Sequence, residues 1–417
     1  MEYLIGKFLL FYKKCRLFGI KHRTSKPLFL YSLYSLLFLI FFISFTLDKI
    51  SPFNYINIVL VVFFSIILAF FVLIHGKLYF DSFVFLLLIF LASQYVATII
   101  NLFPFFSQTG TLMVALTILL YEFHKQREVK FTTTLYIISL SGLFFLFAFT
   151  IKYWHEILNP SFSNRIGTFF GNQNDVARHF AFFSIIFLSC FFEFKHRFLK
   201  WLFFFPIVIA IYYILLTGSI SNALICISIF LLVPLFKLKK AYKFIYLAIL
   251  IALIALIFVI LNLPSMAYFN KRLSNIINSF FGNIKGAGVD NSTILRFKGA
   301  LYGFELFFKN PIFGNGYSSV YRNYVIMAHN NFAEIAADFG IVGILSYETI
   351  ILSIFLKVKA KHKTSIILLL VYIFIFQLFL VSFNDKITCM VLALCASSST
   401  FSFINNDNIV KFYHVNI

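Results

Sequence analysis

The sequence predicts an all-α polytopic membrane protein of about twelve transmembrane helices. Both termini are expected in the cytoplasm, with a large extracytoplasmic loop between helices nine and ten. Three observations predict this. Apolar residues make up 61% of the 417, Phe alone occurs 62 times, and charged residues are only 12%. A soluble chain carries about 25% charged residues, and the mean hydropathy here is +0.93. Apolar stretches of spanning length, ~20 residues, recur along most of the chain. The basic residues then alternate between connections, as the positive-inside rule requires.

Residues 1–27 form a basic tail with Lys7, Lys13, Lys14, Arg16, Lys21, Arg23 and Lys26. No small-residue cleavage site closes the apolar stretch that follows, so it reads as a retained helix rather than a signal peptide. Spans are expected at about 28–47, 55–75, 78–100, 104–121, 131–151, 177–194, 199–217, 219–236 and 244–263, which fill residues 28–263 around an outer loop at 152–176. Residues 264–331 form the large outer loop. Spans at 332–356, 366–383 and 387–404 occupy residues 332–404, and 405–417 is a second cytoplasmic tail. With the first tail inside, 23 of the 35 basic residues fall on the cytoplasmic side. They include Lys77, Lys125, Arg127, Lys130, the cluster 195–200, the cluster 237–243, the lysines of 357–363, and Lys411.

Composition also excludes functions. There is no P-loop, Asp-x-Asp triplet, HExxH or CxxC, so a nucleotide-driven pump, a metal-dependent nucleotide-sugar transferase and a zinc site find no support. Cys190, Cys226, Cys389 and Cys395 lie in apolar spans and Cys15 in the basic tail, which does not make a disulfide framework. The net charge of +20 reads as a topology signal, not as a nucleic-acid surface. The large loop escapes the positive-inside rule by its length, yet its seven basic residues face only Asp290 and Glu305. A cationic outer surface suits an anionic partner.

Three constellations could carry chemistry. The first runs from Arg165 to Arg178, through Gly167, Asn172, Asn174 and Asp175. Asn172 or Asn174 can cap the following helix, whose partly positive N-terminus with Arg165 and Arg178 would suit a pyrophosphate. A plainer reading pairs Asp175 with Arg178. The second is Ala328-His329-Asn330-Asn331, followed by Glu334, Asp338, Gly340 and Gly343. Asn331 with Glu334 fits a capping box, which leaves His329 unexplained; a histidine there can exchange protons near neutral pH. Asp338 inside a span is costly unless paired or facing a wet cavity. The third, Thr217-Gly218-Ser219-Ile220-Ser221-Asn222, indicates by itself only a turn. Residues 296–309 predict an amphipathic helix, with Phe297, Ala300, Leu301, Phe304 and Phe308 on one stripe. It would lie on the bilayer or pack across the spans.

These segments, taken in order, resemble the O-antigen polymerase and ligase family of bacterial membrane glycosyltransferases. The resemblance rests on Gly167–Arg178, the Ser219 turn, Arg296 with Asn310-Pro-Ile-Phe-Gly-Asn-Gly316, and His329-Asn330 with Gly340-Ile-Val-Gly343. Each motif is loose, and the ordered set spans about 165–345. Where the family often has Ser-Arg in the short turn, this chain has Ser219-Ile220. The resemblance implies glycan transfer from an undecaprenyl-pyrophosphate-linked oligosaccharide to a glycan acceptor, at the outer face of the bacterial inner membrane, with no cofactor and no metal. His329 is then the expected base, with Arg296 and Arg165 stabilising the leaving group. Arg178, Asn172, Asn174, Asn330, Arg322 and Asp338 are the expected substrate contacts. The implied partners are the lipid-linked oligosaccharide, the acceptor, the bilayer and a chain-length regulator, with no nucleic acid. An acceptor that is another lipid-linked repeat makes the protein a polymerase of O-antigen or capsular polysaccharide, the favoured reading. A lipid A–core acceptor makes it a ligase. A non-enzymatic transporter of lipid-linked glycan is the rival from another class, but its charges should line a path through the membrane rather than gather at the outer face.

Overall fold

The computed structural model describes residues 62–63, 65–67, 69–70, 77–101, 108–127, 131–158, 166–167, 169, 172–194, 199–237, 270–271, 273–275, 291–358, 362–383, 385–399 and 410–411. Its helices are α1 (Ser82–Ile100), α2 (Gln108–Arg127), α3 (Phe131–Lys152), α4 (Gln173–Glu193), α5 (Phe204–Leu216), α6 (Ile220–Lys237), α7 (Asn291–Lys309), α8 (Ser319–Tyr324), α9 (Asn331–Leu356), α10 (Lys363–Gln377) and α11 (Lys386–Ser397). Nine of the twelve expected spans coincide with helices in this set. The expected spans at 28–47 and 244–263 lie outside the described residues, and that at 55–75 is described only in fragments.

Four helices, α1, α3, α4 and α9, are long and apolar enough to cross a membrane. The apolar helices α5, α10 and α11 are shorter. The core is aromatic: Phe149 packs on Phe180 at 4.8 Å and on Tyr213 at 4.9 Å between ring centroids, and Phe90 packs on Tyr347 at 5.0 Å. Lipid is as apolar as a buried side chain, so these contacts hold the helices together by close packing.

Two opposite ends of the bundle are polar. At one, Lys357 Nζ donates to Ser82 Oγ at 2.7 Å, Lys125 approaches Asp81 at 3.6 Å, and His362 and Ser365 hold Glu193 at 2.8 and 2.7 Å. Lys77–Leu78 pairs with Val410–Lys411 there as a short antiparallel ladder. These are connections expected to carry the cytoplasmic lysines. At the other end, Asn101 Nδ2 donates to Gly314 O at 3.1 Å, and the connections bearing the three constellations converge.

Helix α9 is not continuous. Gly340 adopts φ 66° and ψ −160°, which breaks it into Asn331–Phe339 and a second part ending at Leu356. The sequence predicts one unbroken span at 332–356. The reason for the break is an exchange of hydrogen bonds with residues 311–316. Ala337 O and Asp338 O accept from Asn315 N and Gly316 N at 2.8 and 2.9 Å, and Ile341 N and Val342 N donate to Pro311 O and Ile312 O at 2.8 and 3.4 Å. Four groups that would bond one another across a helical turn are satisfied by the inserted loop instead. The approach excludes side chains at both glycines: a Cβ on Gly340 would lie 2.3 Å from Ile312 O, and one on Gly314 would lie 2.4 Å from the Asp338 carbonyl carbon.

The amphipathic stripe expected of α7 either lies on the bilayer or packs across the spans. The contact with the rest of the protein runs through Gly299, Gly303 and Leu306, with Ala328, Ala333 and Ala337 opposite, which leaves most of the stripe outside. A Cβ on Gly299 would meet Met327 O at 2.2 Å. Small residues four apart let helix backbones approach, the packing rule of membrane helices. Phe297, Leu301 and Phe304 face outward, and Phe308 is 76% exposed.

Candidate functional site

The site end is assembled from three connections. The first precedes α4. Asn172 caps that helix by accepting from Asn174 N at 2.9 Å, as expected of one of the two asparagines. Asn222 Nδ2 donates to Asn174 O at 3.2 Å and to Ser219 Oγ at 2.9 Å, so the short turn before α6 docks on the start of α4. Sequence order separates these two constellations; the fold joins them. Arg165 lies outside the described residues.

Arg178 is drawn into ion pairs. It lies 3.9 Å from Asp175, the plainer pairing foreseen, and 3.3 Å from Asp385, which was not foreseen. Asp385 also caps α11 through Thr388 N at 3.4 Å. Its signal in the sequence was an acid at the outer edge of an apolar stretch, just ahead of a helix start.

The second connection, residues 378–385, joins the first group to the third. Asn331 Oδ1 accepts from Ser382 N and Phe383 N at 2.8 and 2.9 Å, and Asn330 Nδ2 donates to Leu378 O at 3.1 Å. The cap of α9 is Asn330, whose Oδ1 accepts from Ala333 N at 2.9 Å. This corrects the capping box assigned to Asn331 and Glu334. Moving the cap back one residue removes Glu334 from capping reach and turns Asn331 toward the 378–385 connection.

The third group surrounds His329. His329 holds a left-handed backbone, φ 51°, uncommon for a residue with a side chain. Among the described residues its ring has no hydrogen-bond partner. Burial, and then the nearby Arg296 charge, push its pKa below the ordinary value. Arg296 lies on α7 one turn before Gly299, where α7 meets Met327 and Ala328, which brings the guanidinium and the imidazole to one place. Glu334 is 8% exposed and takes a hydrogen bond from the Ala328 backbone, while its Oε2 has no partner.

Asp338 and Arg322 serve the loop. Asp338 is fully buried and accepts from Ser318 N, Ser319 N and Ser319 Oγ, each at 2.7 Å. It thereby caps α8 from another helix, which offsets the cost of a buried carboxylate. Arg322 donates to Tyr317 O, Asn315 O and Gly316 O at 3.0, 2.8 and 3.0 Å. Both clamp the 310–318 turn into the break of α9. Of the residues the sequence singles out, the fold thus brings together Arg296, His329 and Asn330, sets Arg178, Asn172 and Asn174 on the neighbouring α4 terminus, and uses Asp338 and Arg322 as braces.

The order of these segments, from the Ser219 turn to the broken α9, carries a family likeness. Residues 205–347 match the family model described as O-antigen ligase. The match covers about a third of the chain, from the start of α5 into the second part of α9. It supports the O-antigen ligase and polymerase family, and with it a membrane protein of polysaccharide biosynthesis acting in a ligase or polymerase manner on a lipid-linked glycan. It includes Arg296, Arg322, His329, Asn330, Glu334 and Asp338 and excludes Arg165, Asn172, Asn174 and Arg178. No curated protein matches the chain.

Proposed function

We propose that the protein polymerises undecaprenyl-pyrophosphate-linked oligosaccharide repeats into O-antigen or capsular polysaccharide at the outer face of the bacterial inner membrane. The observation that carries this reading is the meeting of Arg296 and His329 at the end of the bundle opposite its lysine-bearing connections. A cation and an imidazole whose ring, among the described residues, has no hydrogen-bond partner suit transfer from a lipid pyrophosphate. His329 takes the proton of the acceptor hydroxyl. The hydroxyl oxygen bonds to the anomeric carbon of the donor glycan as the bond from that carbon to the pyrophosphate oxygen breaks. The bonding pair leaves with the lipid pyrophosphate, and Arg296 offsets the charge that develops there, a role the sequence resemblance also assigns to Arg165. His329 then returns its proton to solvent. Asn172, Asn174, Arg178 and Asn330 line the approach of the glycan.

The outward stripe of α7 supports placement at a membrane. Phe297, Leu301, Phe304 and Phe308 face away from the protein on the same helix that carries Arg296, as an interfacial helix does. The transporter reading is disfavoured because Arg296, His329 and Asn330, with Asn172, Asn174 and Arg178 on the neighbouring α4 terminus, gather at one end of the bundle.

Complementation tests the proposal. In cells lacking the native gene, His329→Ala at normal protein level should abolish polymer while lipid-linked single repeats accumulate. Normal polymer from that variant removes His329 from the reaction. Loss of glycan on lipid A–core, with lipid-linked polymer still made, assigns the ligase activity instead.

A further inference from the structure

We infer that Glu334 is a further binding residue of this site, holding a hydroxyl of the acceptor sugar beside His329. The inference rests on the proposed glycosyl transfer and deepens it, because it separates the acceptor side of the site from the donor side.

Glu334 has no structural employment that uses its whole carboxyl group. It sits in the first turn of α9, but the cap belongs to Asn330. One interaction, with the Ala328 backbone, is satisfied; Oε2 is enclosed and lacks a partner. Asp338, one turn further along the same face, takes three donors. A buried carboxyl oxygen left without a partner among the described residues loses the hydrogen bonds it had in water. Such a cost is tolerated where a partner arrives from outside.

The neighbourhood says what that partner is. Ala328 is adjacent in sequence to His329 and lies against Gly299 of α7, one turn from Arg296. Glu334 therefore belongs to the Arg296–His329 locality. The charged groups on the packed elements are Arg296, Lys298, Glu305 and Lys309 on α7, Arg322 on α8, Asp338 and, nearly four turns from Glu334, Glu348 on α9, and Asp385 ahead of α11. Glu305 and Lys309 pair with each other at 2.9 Å, Asp385 pairs with Arg178, and Arg322 bonds to loop carbonyls. Two acidic residues on the first turns of α9 make that side unsuitable for a pyrophosphate, which goes to Arg296 on α7. The remaining polar chemistry of a lipid-linked glycan is its hydroxyls. A hydroxyl both donates and accepts, so it matches a lone carboxyl oxygen in either protonation state. His329 then stands between the two substrates, with the leaving group toward α7 and the attacking sugar toward Glu334.

The test uses the full chain in membrane vesicles, with the lipid-linked glycan pool extracted from cells deleted for the gene as the only substrate. Glu334→Ala should raise KM for lipid-linked glycan at least ~10-fold, the scale of one lost buried hydrogen bond, with kcat changed much less. Glu334→Gln keeps an accepting and a donating group and should stay within ~3-fold of the parent on the same scale. Unchanged KM in Glu334→Ala means that water alone occupies the site and overturns the inference. Equal loss of kcat in the Ala and Gln variants means proton transfer by the carboxyl and also overturns it. Arg296→Ala and His329→Ala run alongside. If they polymerise normally, the proposed function fails whatever Glu334 does; if they are inactive and Glu334→Ala is normal, only the assignment of Glu334 falls.

Discussion

In the proposed reaction Arg296 and His329 divide the chemistry between a fixed charge and a neutral base. An arginine that forks onto a pyrophosphate acts in the transition state, so Arg296→Ala should lower kcat at least ~10²-fold. Arg296→Lys should rescue little, because an ammonium cannot form the planar fork; full recovery by lysine in the vesicle assay would reduce the role to charge alone. His329 works only when neutral. Burial and Arg296 both disfavour the imidazolium, so the base stays competent to a lower pH than a free histidine. The acid limb of the kcat profile should fall below ~6.5, the ordinary histidine value. Removing the charge in Arg296→Gln should move that limb upward in what activity remains. A limb that stays in place would mean that the guanidinium does not face His329. Asp338 shows where residue-level reading stops. Its cost in an apolar stretch was legible, but its partners, Ser318 and Ser319, are twenty residues back and follow no spacing rule.

At the scale of elements, hydropathy and turn chemistry read well and faces read poorly. The nine described helices at expected spans follow from apolar length alone. Helix α7 was legible as a helix from its period, and the period left open whether its stripe lies on the bilayer or packs on the spans. In water the Phe stripe would turn inward; beside lipid the small residues mark the protein contact and the aromatics turn out. The cap of α9 was misassigned because Asn330 and Asn331 are adjacent and either satisfies a capping pattern, while only the fold supplies the 378–385 connection that claims Asn331. The loop motif 310–316 and Gly340 lie about 25 residues apart, and no spacing rule in the sequence joins them. They are two halves of one hydrogen-bonded insertion. Gly340→Val should therefore expel the loop, both by its left-handed φ and by collision with Ile312 O. The expected outcome is loss of activity together with lower protein abundance in membranes. Normal abundance and activity in Gly340→Val would contradict the inserted-loop account.

For the whole molecule, the basic connections and the candidate site occupy opposite ends of one bundle. Between Ser82, which meets Lys357, and Asn101, which meets Gly314, α1 rises ~28 Å at 1.5 Å per residue. That is close to the ~30 Å apolar thickness of a bilayer. On the proposed reading, the broken α9 and α7 form a platform at the level where a lipid-linked substrate presents its pyrophosphate. The central claim is that this platform joins lipid-linked repeats to one another. The most direct measurement is reconstitution of the purified full chain in liposomes with lipid-linked repeat as the sole glycan substrate, followed by separation of the lipid-linked products by length. The account predicts a ladder of longer lipid-linked glycans that disappears with His329→Ala. Repeat left unextended by the parent chain, and consumed only once lipid A–core is added, would contradict it.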